Sequence, residues 1–244
     1  MAKGGTNTAM KITYLGHAAF RIETGKAVLL IDPFLTGNPA ATIGWQEAGK
    51  GATHVLLTHG HDDHVGDALA ILKVTGAVLV SNFEVCNWLA AQGAEHYSPG
   101  NHGGRIAFDD FDVVFTNAHH SSSRIEGGKP IYLGHPAGFV IMPKRETGKT
   151  VYLMGDTGIT LDMKLVQELY RPNIGIVPIG DRFTMGPDQA AYACRNFFSF
   201  DLIIPSHYAS FEGFVIPDAK PFLAAMAADA GKVRALKAGE SVTP

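Results

Sequence analysis

The chain has 244 residues, 46% of them hydrophobic and 18% charged, with a net charge of −3. Such a chain is long and apolar enough to bury a large core, which excludes a disordered segment, and its charge balance gives no basic footprint for nucleic acid or anionic membrane. Its two cysteines, Cys86 and Cys194, lie outside any C-x-x-C pair and exclude a disulfide framework, and no apolar run reaches membrane-spanning length.

Residues 1–10 lack the apolar stretch of a secretory signal and are expected to form a loose tail ahead of one domain over 11–244, with the cytoplasm as the expected location. Three short runs rich in β-branched and aromatic residues, 11–16, 19–23 and 27–31, read as an antiparallel meander. His17 and Asp32 stand at the ends of these runs, and Pro33 keeps the chain extended or turning after Asp32. Residues 34–53 are rich in Gly, Pro and Ala, show no periodicity and read as a long functional loop.

Residues 55–57 form an apolar run too short for a helix and read as a buried strand. It runs into Thr58-His59-Gly60-His61-Asp62-Asp63-His64, an H-x-H-x-D-H pattern in which five of the six residues after Thr58 can bind a metal. Side chains two apart on an extended chain share a side, so His59 and His61 can converge on one ion. Asp63 and His64 lie in the following turn, where they can aim at a neighbouring point. Imidazole and carboxylate together suit zinc, manganese or iron.

A helix over 67–74 and a strand over 77–80 follow. Ser81 and Glu84 have the spacing of a capping box for a helix running to Gln92, with Gly93 as its stop. Strands 106–108 and 112–116 read as a hairpin whose second arm delivers Asn117-Ala118-His119-His120-Ser121. Residues 124–134 read as a second glycine-rich loop. Strands 138–142 and 150–154 come next, the latter ending at Gly155-Asp156-Thr157-Gly158. The rest reads as a helix over 161–170, a strand over 174–179, a helix over 187–198 with Pro187 in its first turn, and a strand over 202–205 that leads into Ser206-His207-Tyr208. A last helix over 217–230 and a short strand over 233–236 close the chain. The strands are too many for one parallel doubly wound sheet, and the early ones are hairpin-linked. The layout predicts an α/β fold, an αββα sandwich: two mixed β-sheets packed face to face with helices on the outer faces.

Four apolar strands therefore stop at metal-ligand residue types: the segment 59–64, His119 or His120, Asp156, and His207. Five histidines and two aspartates suffice for two ions with three or four ligands each and one carboxylate between them. Two ions about 3.5–4 Å apart lower the pKa of a water between them to near neutrality, so that a hydroxide serves as nucleophile without a Ser or Cys. Asp63 is then a candidate for steering that water's proton. All-cysteine ligation, the mark of a closed structural zinc site, is absent.

The strings THGHDDH, AHHSS, GDTG and SHY, in this order, resemble the metallo-β-lactamase fold superfamily of metal-dependent hydrolases. The flanking LGHAAFRI, IDPFLTGNP, GDTGITLDM, VPIGDRFTMGPDQAA and IPSHY are similar to its small stand-alone bacterial members, relatives of the ascorbate-6-phosphate lactonases. The resemblance runs from Tyr14 to Tyr208. It implies His59, His61 and His120 on a first ion, Asp63, His64 and His207 on a second, and Asp156 bridging both. His120 is preferred to His119 because the family places a single His before two small hydroxyl residues, here Ser121-Ser122. The resemblance further implies two divalent ions, zinc first, with manganese or iron as alternatives. The implied activity is attack by a hydroxide bridging them on a small ester, lactone, amide or phosphoester, a lactonase-like reaction included, with Asp63 and His207 as catalytic residues. The competing readings are a nucleic-acid-processing nuclease on the same fold, which the charge balance disfavours, and a non-hydrolytic di-iron redox or metal-binding protein. The expected partner is a small-molecule substrate, with no nucleic acid and no membrane, and a homo-oligomer is left open.

The other polar residues carry two readings each. Asp62, the x of H-x-D, is expected to face away from the metal as a cap or outer partner. Asp32 is either an outer partner that orients a ligand histidine or a turn-forming Asp. His17 is either a pocket residue or a satisfied core histidine. His135 is a substrate contact or a plain loop residue. Arg124, Lys129 and Arg182 are the cations nearest the pocket loops for an anionic substrate group. Phe34, Trp45, Phe183 and Met185 either wall a pocket or pack loops. His54, His96 and His102 read as ordinary polar residues.

Overall fold

In a computed structural model that describes residues 9–145 and 148–244, the opening meander forms β1 (Lys11–Gly16), β2 (Ala19–Thr24) and β3 (Ala27–Ile31). There follow α1 (Trp45–Ala48), β4 (His54–Leu56), α2 (Asp62–Val65), α3 (Ala68–Thr75), β5 (Val78–Asn82), α4 (Phe83–Ala90) and β6 (Tyr97–Gly100). The second half runs β7 (Arg105–Ala107), β8 (Phe111–Asn117), β9 (Ser123–Glu126), β10 (Lys129–Tyr132), β11 (Ala137–Pro143) and β12 (Val151–Leu153). Then come α5 (Asp162–Tyr170), β13 (Ile174–Pro178), α6 (Pro187–Phe197), β14 (Leu202–Ser206), α7 (Lys220–Met226), a 3-10 turn (Ala227–Lys232) and β15 (Ser241–Val242). Among the described residues the strands make two large mixed sheets, in the orders β15-β1-β2-β3-β4-β5-β6 and β14-β13-β12-β11-β8-β7, with β9 and β10 as a separate hairpin.

Period-two alternation sorts each strand between two apolar clusters. In the first sheet Leu29, Ile31, Leu56 and Val80 face inward, where they share one cluster with Phe111, Val113, Phe115 and Phe139 of the second sheet. Their neighbours Leu30, Val55, Leu57 and Leu79 face outward and pack against Ala48, Ile71, Leu72, Val85, Cys86 and Leu89 of the helices. Met163, Val166, Ala190 and Cys194 bring α5 and α6 onto the second sheet. The architecture is thus the expected layered α/β sandwich. No helix among the described residues is long and apolar enough to cross a membrane.

Several local expectations are corrected. Asn82, not Ser81, caps α4 by accepting from the Val85 amide at 2.8 Å, because Ser81 is still paired in β5 and its hydroxyl donates to Leu57 O at 2.8 Å. That helix stops at Ala90, short of Gln92. The loop 34–53 holds the short α1, and the loop 124–134 is largely the β9–β10 hairpin, turned by Gly127 and Gly128 at positive φ. β6 was not foreseen because Pro99 and Gly100 disguise it; it lies at a sheet edge, where Pro is tolerated. The strand expected over 233–236 reduces to one bridge between Ile203 and Val233, and the last strand is instead β15, which pairs with β1 at the edge of the first sheet. The helix expected over 217–230 begins at Lys220 and passes into the 3-10 turn. Met10 is buried at 1% exposure, so the tail expected over 1–10 ends before it; residues 1–8 lie outside the described residues.

Register gathers the ligand-type residues at one edge. β3 and β4 are parallel, with Ile31 beside Leu56, so Asp32 and the segment after Leu56 leave their sheet together. β12, β13 and β14 are parallel, pairing Leu153 with Ile176 and Pro178 with Ser206, so Asp156, Gly180 and His207 follow their ends in a row. β11 runs antiparallel to both β8 and β12, pairing Ala137 with Asn117 and Phe139 with Leu153. That returns the end of β8, and with it His120, to the same edge.

Candidate metal centre

The H-x-H-x-D-H segment changes conformation halfway along. His61 is extended (φ −71°, ψ 152°) and caps α2, so His59 and His61 project from extended chain while Asp63 and His64 project from a helical turn. His59 Nε2 lies 2.9 Å from His61 Nδ1. Gly60 between them donates its amide to Ser122 Oγ at 3.0 Å, and Ser122 Oγ donates to Leu133 O at 2.8 Å. A Cβ on Gly60 would meet Leu133 Cδ1 at 2.4 Å, so the contact that locks this segment against the second half of the chain requires glycine.

Asp32 anchors the other half. One oxygen accepts from the Thr58 amide at 2.8 Å; the other accepts from Thr58 Oγ1 at 2.7 Å and from His64 Nδ1 at 2.8 Å. A carboxylate can only accept, so His64 Nδ1 is a donor and its Nε2 is turned to the interior. There Nε2 lies 3.3 Å from Asp156 Oδ2, buried and without a partner in hydrogen-bond geometry. Burial alone would lower the His64 pKa, but Asp156, Asp32 and Asp63 raise it well above the usual value. Three carboxylates thus favour a positive charge at this point.

Asp156, 3% exposed, stands between the halves. Its Oδ2 is 3.0 Å from His207 Nε2, 3.3 Å from His64 Nε2 and 3.8 Å from His120 Nε2. Burial opposes its ionisation, yet His207 and His64 hold its carboxyl well below the ordinary range. The His120 ring lies 5.1 Å from those of both His59 and His61. His119 is exposed and is tied through its backbone amide to Thr157 Oγ1 at 2.9 Å, so of the two neighbours His120 joins the cluster.

His17 is 1% exposed and more central than either of its sequence readings required. Its ring lies 4.1 Å from that of His207, Nε2 is 3.1 Å from Asp63 Oδ2 and Nδ1 is 2.7 Å from Ser210 Oγ. Its carbonyl accepts the His207 amide at 2.7 Å. Burial opposes ionisation of Asp63, but His64 and His17 hold its carboxyl far below the usual range. Among the described residues, seven other than glycine have positive φ; His17, Asp32 and His207 are three of them, and Asp181 and Ala209 lie beside the site. Backbone strain of this kind persists where surrounding structure fixes it, and it clusters at functional sites.

Ligand atoms fall into three overlapping groups, each within 4.8 Å: His59, His61 and His120; His17, Asp63, His64 and His207; and His59, His64 and Asp156. Burial lowers the pKa of His59, His61 and His120, leaving neutral imidazoles with lone pairs to share. Neutral imidazoles and ionised carboxylates are the state in which such groups bind a divalent cation. The residues present therefore fit a metal centre.

Other candidates lie elsewhere. Asp62 faces outward, its side chain 69% exposed, and pairs with Arg124 at 2.9 Å. Arg124 also covers the Trp88 ring at 4.9 Å, so the expected pocket cation is committed to the outer side of α2. His135 is exposed, its ring 6.1 Å from those of His102 and Tyr132, and these contacts do not support a pocket role. Lys129 is exposed on β10, Trp45 packs on the outer cluster and Met185 is in the main core. His54 packs edge-on against Phe108 and Phe111. Sequence reasoning missed Ser210, which meets His17 Nδ1, and Phe211, Phe214 and Val215, all in the loop after His207. With Phe183, these last three line a pocket of about 290 Å³ that reaches Asp63, His17 and His207. Their one signal was two phenylalanines in a short polar stretch, Phe211-Glu212-Gly213-Phe214.

Residues 11–207 match the model of a family described as the β-lactamase superfamily domain. The chain is 54% identical over 226 residues to a UPF0173 metal-dependent hydrolase of Methylocella silvestris, covering 93% of this chain and 96% of the relative. It is 52% identical over 235 residues to another of Chelativorans sp., covering 96% and 99%. A solved structure described as a novel metallo hydrolase from the hyperthermophilic archaeon Ignicoccus hospitalis superposes with a TM-score of 0.85 at 33% identity, covering 96% of this chain and 98% of that one. An isothiocyanate hydrolase from Delia radicum gut bacteria shares the fold, with a TM-score of 0.76 at 19% identity over 96% and 98% of the two chains.

Proposed function

Because this chain belongs to the β-lactamase superfamily, as a metal-dependent hydrolase of that fold, we propose that it hydrolyses a small ester, lactone, amide or phosphoester at a centre of two divalent ions. His59, His61 and His120 would hold one ion, and Asp63, His64 and His207 the other, with Asp156 between them. Zinc is the first choice for this donor set, and manganese and iron also suit it. Two ions so held would supply a water that ionises near neutral pH and a positive charge for the substrate's oxygen.

The chain's own residues do the rest. Asp32 fixes the tautomer of His64, so that Nε2 is the nitrogen presented inward. His17 steadies the Oδ2 oxygen of Asp63. The Asp63 side chain is 35% exposed and lines the pocket, where its carboxylate would accept a hydrogen bond from the attacking water and so orient it. His207, braced by His17 and Asp156, stands at the same wall and helps to orient the scissile group.

The observation that carries this reading is Asp156 Oδ2, which is within 4 Å of His64, His120 and His207 at once. The test is hydrolysis of a panel of small esters, lactones, amides and phosphoesters by the purified protein before and after chelation. Turnover that chelation abolishes and zinc or manganese restores is expected. Metal-loaded protein that turns over no member of the panel would overturn the hydrolytic assignment.

A further inference from the structure

The 290 Å³ pocket beside the ligand cluster has a composition that names the kind of molecule it takes. Asp63 and His207 form its base, and Phe183, Phe211, Phe214 and Val215 its walls. Its volume is at the lower end of the roughly 300–1,000 Å³ of small-molecule sites, enough for a ring-sized body and too small for a polymer. The Phe183 and Phe214 rings are parallel, 12° apart in plane with centroids 6.3 Å apart, although each is about half exposed (48% and 51%). Phe211 stacks in turn on Phe34, at 6.1 Å and 20°. Aromatic surface left open to water beside a polar cluster is suited to an apolar group delivered from outside.

Arg182 supplies the second half of the recognition. Its guanidinium lies 5.5 Å from the Phe183 centroid and 5.1 Å from that of Phe214. A guanidinium on an aromatic face uses its own face and leaves the in-plane N–H donors unspent. Glu212 is on the neighbouring loop, yet among the described residues no carboxylate forms an ion pair with Arg182, in contrast to Arg124, which has two. The backbone beneath it is fixed: the Asp181 amide donates to Met185 O at 3.1 Å, the Gly180 amide to Thr184 Oγ1 at 3.0 Å and the Met185 amide to Thr157 O at 2.9 Å. The cation is thus held at the rim by a shaped loop and not by a counter-ion.

We infer that the substrate is an amphiphilic anion, with a ring-sized apolar body against Phe183, Phe211 and Phe214 and a carboxylate or phosphate at its outer end on Arg182. The inference rests on the hydrolase reading for the scissile bond, which would lie at the base of the pocket beside Asp63 and His207. The apolar wall supplies affinity, and Arg182 discriminates charged from neutral homologues.

The test measures binding apart from turnover. Calorimetric titration of the zinc-loaded full chain with 3-phenylpropanoate, 3-phenylpropyl phosphate and the neutral 3-phenylpropanamide compares two anions with an uncharged homologue. The anions are expected to bind about tenfold more tightly than the amide, the discrimination that one charge-assisted hydrogen bond supplies. Arg182→Met, an exposed change, should erase that ratio by weakening the two anions more than the amide, and Phe214→Ala should weaken all three probes. A preference for anions that survives Arg182→Met would mean that the metal reads the charge, and would overturn the inference. So would equal affinity for the three probes in the unaltered protein. Binding that follows this pattern in a protein without hydrolytic turnover would sustain the pocket and reject the hydrolase reading.

Discussion

A buried hydrogen bond from His64 to Asp32 governs which nitrogen this proposed ligand presents to the cluster. Asp32 accepts three hydrogen bonds, two from Thr58 and one from His64 Nδ1, so its geometry is over-determined and its positive φ of 45° is maintained. In Asp32→Asn, one oxygen becomes an amide nitrogen. If that nitrogen faces His64, two donors oppose each other, and the imidazole must place its proton on Nε2 and withdraw the lone pair from the interior. If it takes the place of the other oxygen, the Thr58 amide loses its acceptor. Zinc affinity at the second position should fall about 10–100-fold, the usual effect of removing such an outer partner, with the fold retained. Calorimetric zinc titration alongside circular dichroism measures this, and unchanged affinity would remove Asp32 from the account. Asp32 had two sequence readings, and nothing short of the parallel register of β3 and β4 could separate them.

At the scale of elements, the site is made of strand ends, and what aims each proposed ligand is the loop behind it. Gly180, just past β13, is where His207 is backed: an added Cβ would meet His207 O at 2.4 Å and Nδ1 at 2.6 Å. Gly180→Ala should therefore push His207 off Asp156, with overpacking that costs about 1–3 kcal/mol of stability. The expected result is a modestly lower Tm with a loss of roughly tenfold or more in affinity for the ion at His207 and little change at the ion near His120. Equal weakening of both positions would instead indicate general destabilisation. This dependence was not legible in the sequence, because Gly180 and His207 are neighbours only through the parallel pairing of Pro178 with Ser206. The same limit hid β15, two residues long and paired with Ile12 and Thr13 from the far end of the chain. It also hid the true cap of α4, which differs by one residue because β5 extends through Asn82. Long apolar alternation fared better: β1–β3, β8, β11 and β13 lie where their β-branched and aromatic runs placed them.

For the molecule as a whole, the sandwich converts a scattered set of residues into one cluster. All seven polar residues proposed as ligands lie in two bursts of sequence or just past the end of an apolar run, which is why the cluster could be anticipated before its geometry was known. The pocket wall could not, since Phe211 and Phe214 acquire their meaning only when the loop after β14 folds against Phe34 and Phe183. His17 belongs to both layers of the problem: it follows the first strand in the chain, yet in space it lies between Asp63 and His207. The central claim is the division of the H-x-H-x-D-H segment between two ions. The most direct measurement is anomalous diffraction at the metal edge from crystals of the zinc-loaded protein and of its Asp63→Ala and His61→Ala variants. Two peaks are predicted for the unaltered chain, flanking Asp156. Asp63→Ala should lose the peak beside His207 and keep the one beside His120, and His61→Ala should do the reverse. A single peak in the unaltered protein, or equal loss of both peaks in each variant, would contradict the account.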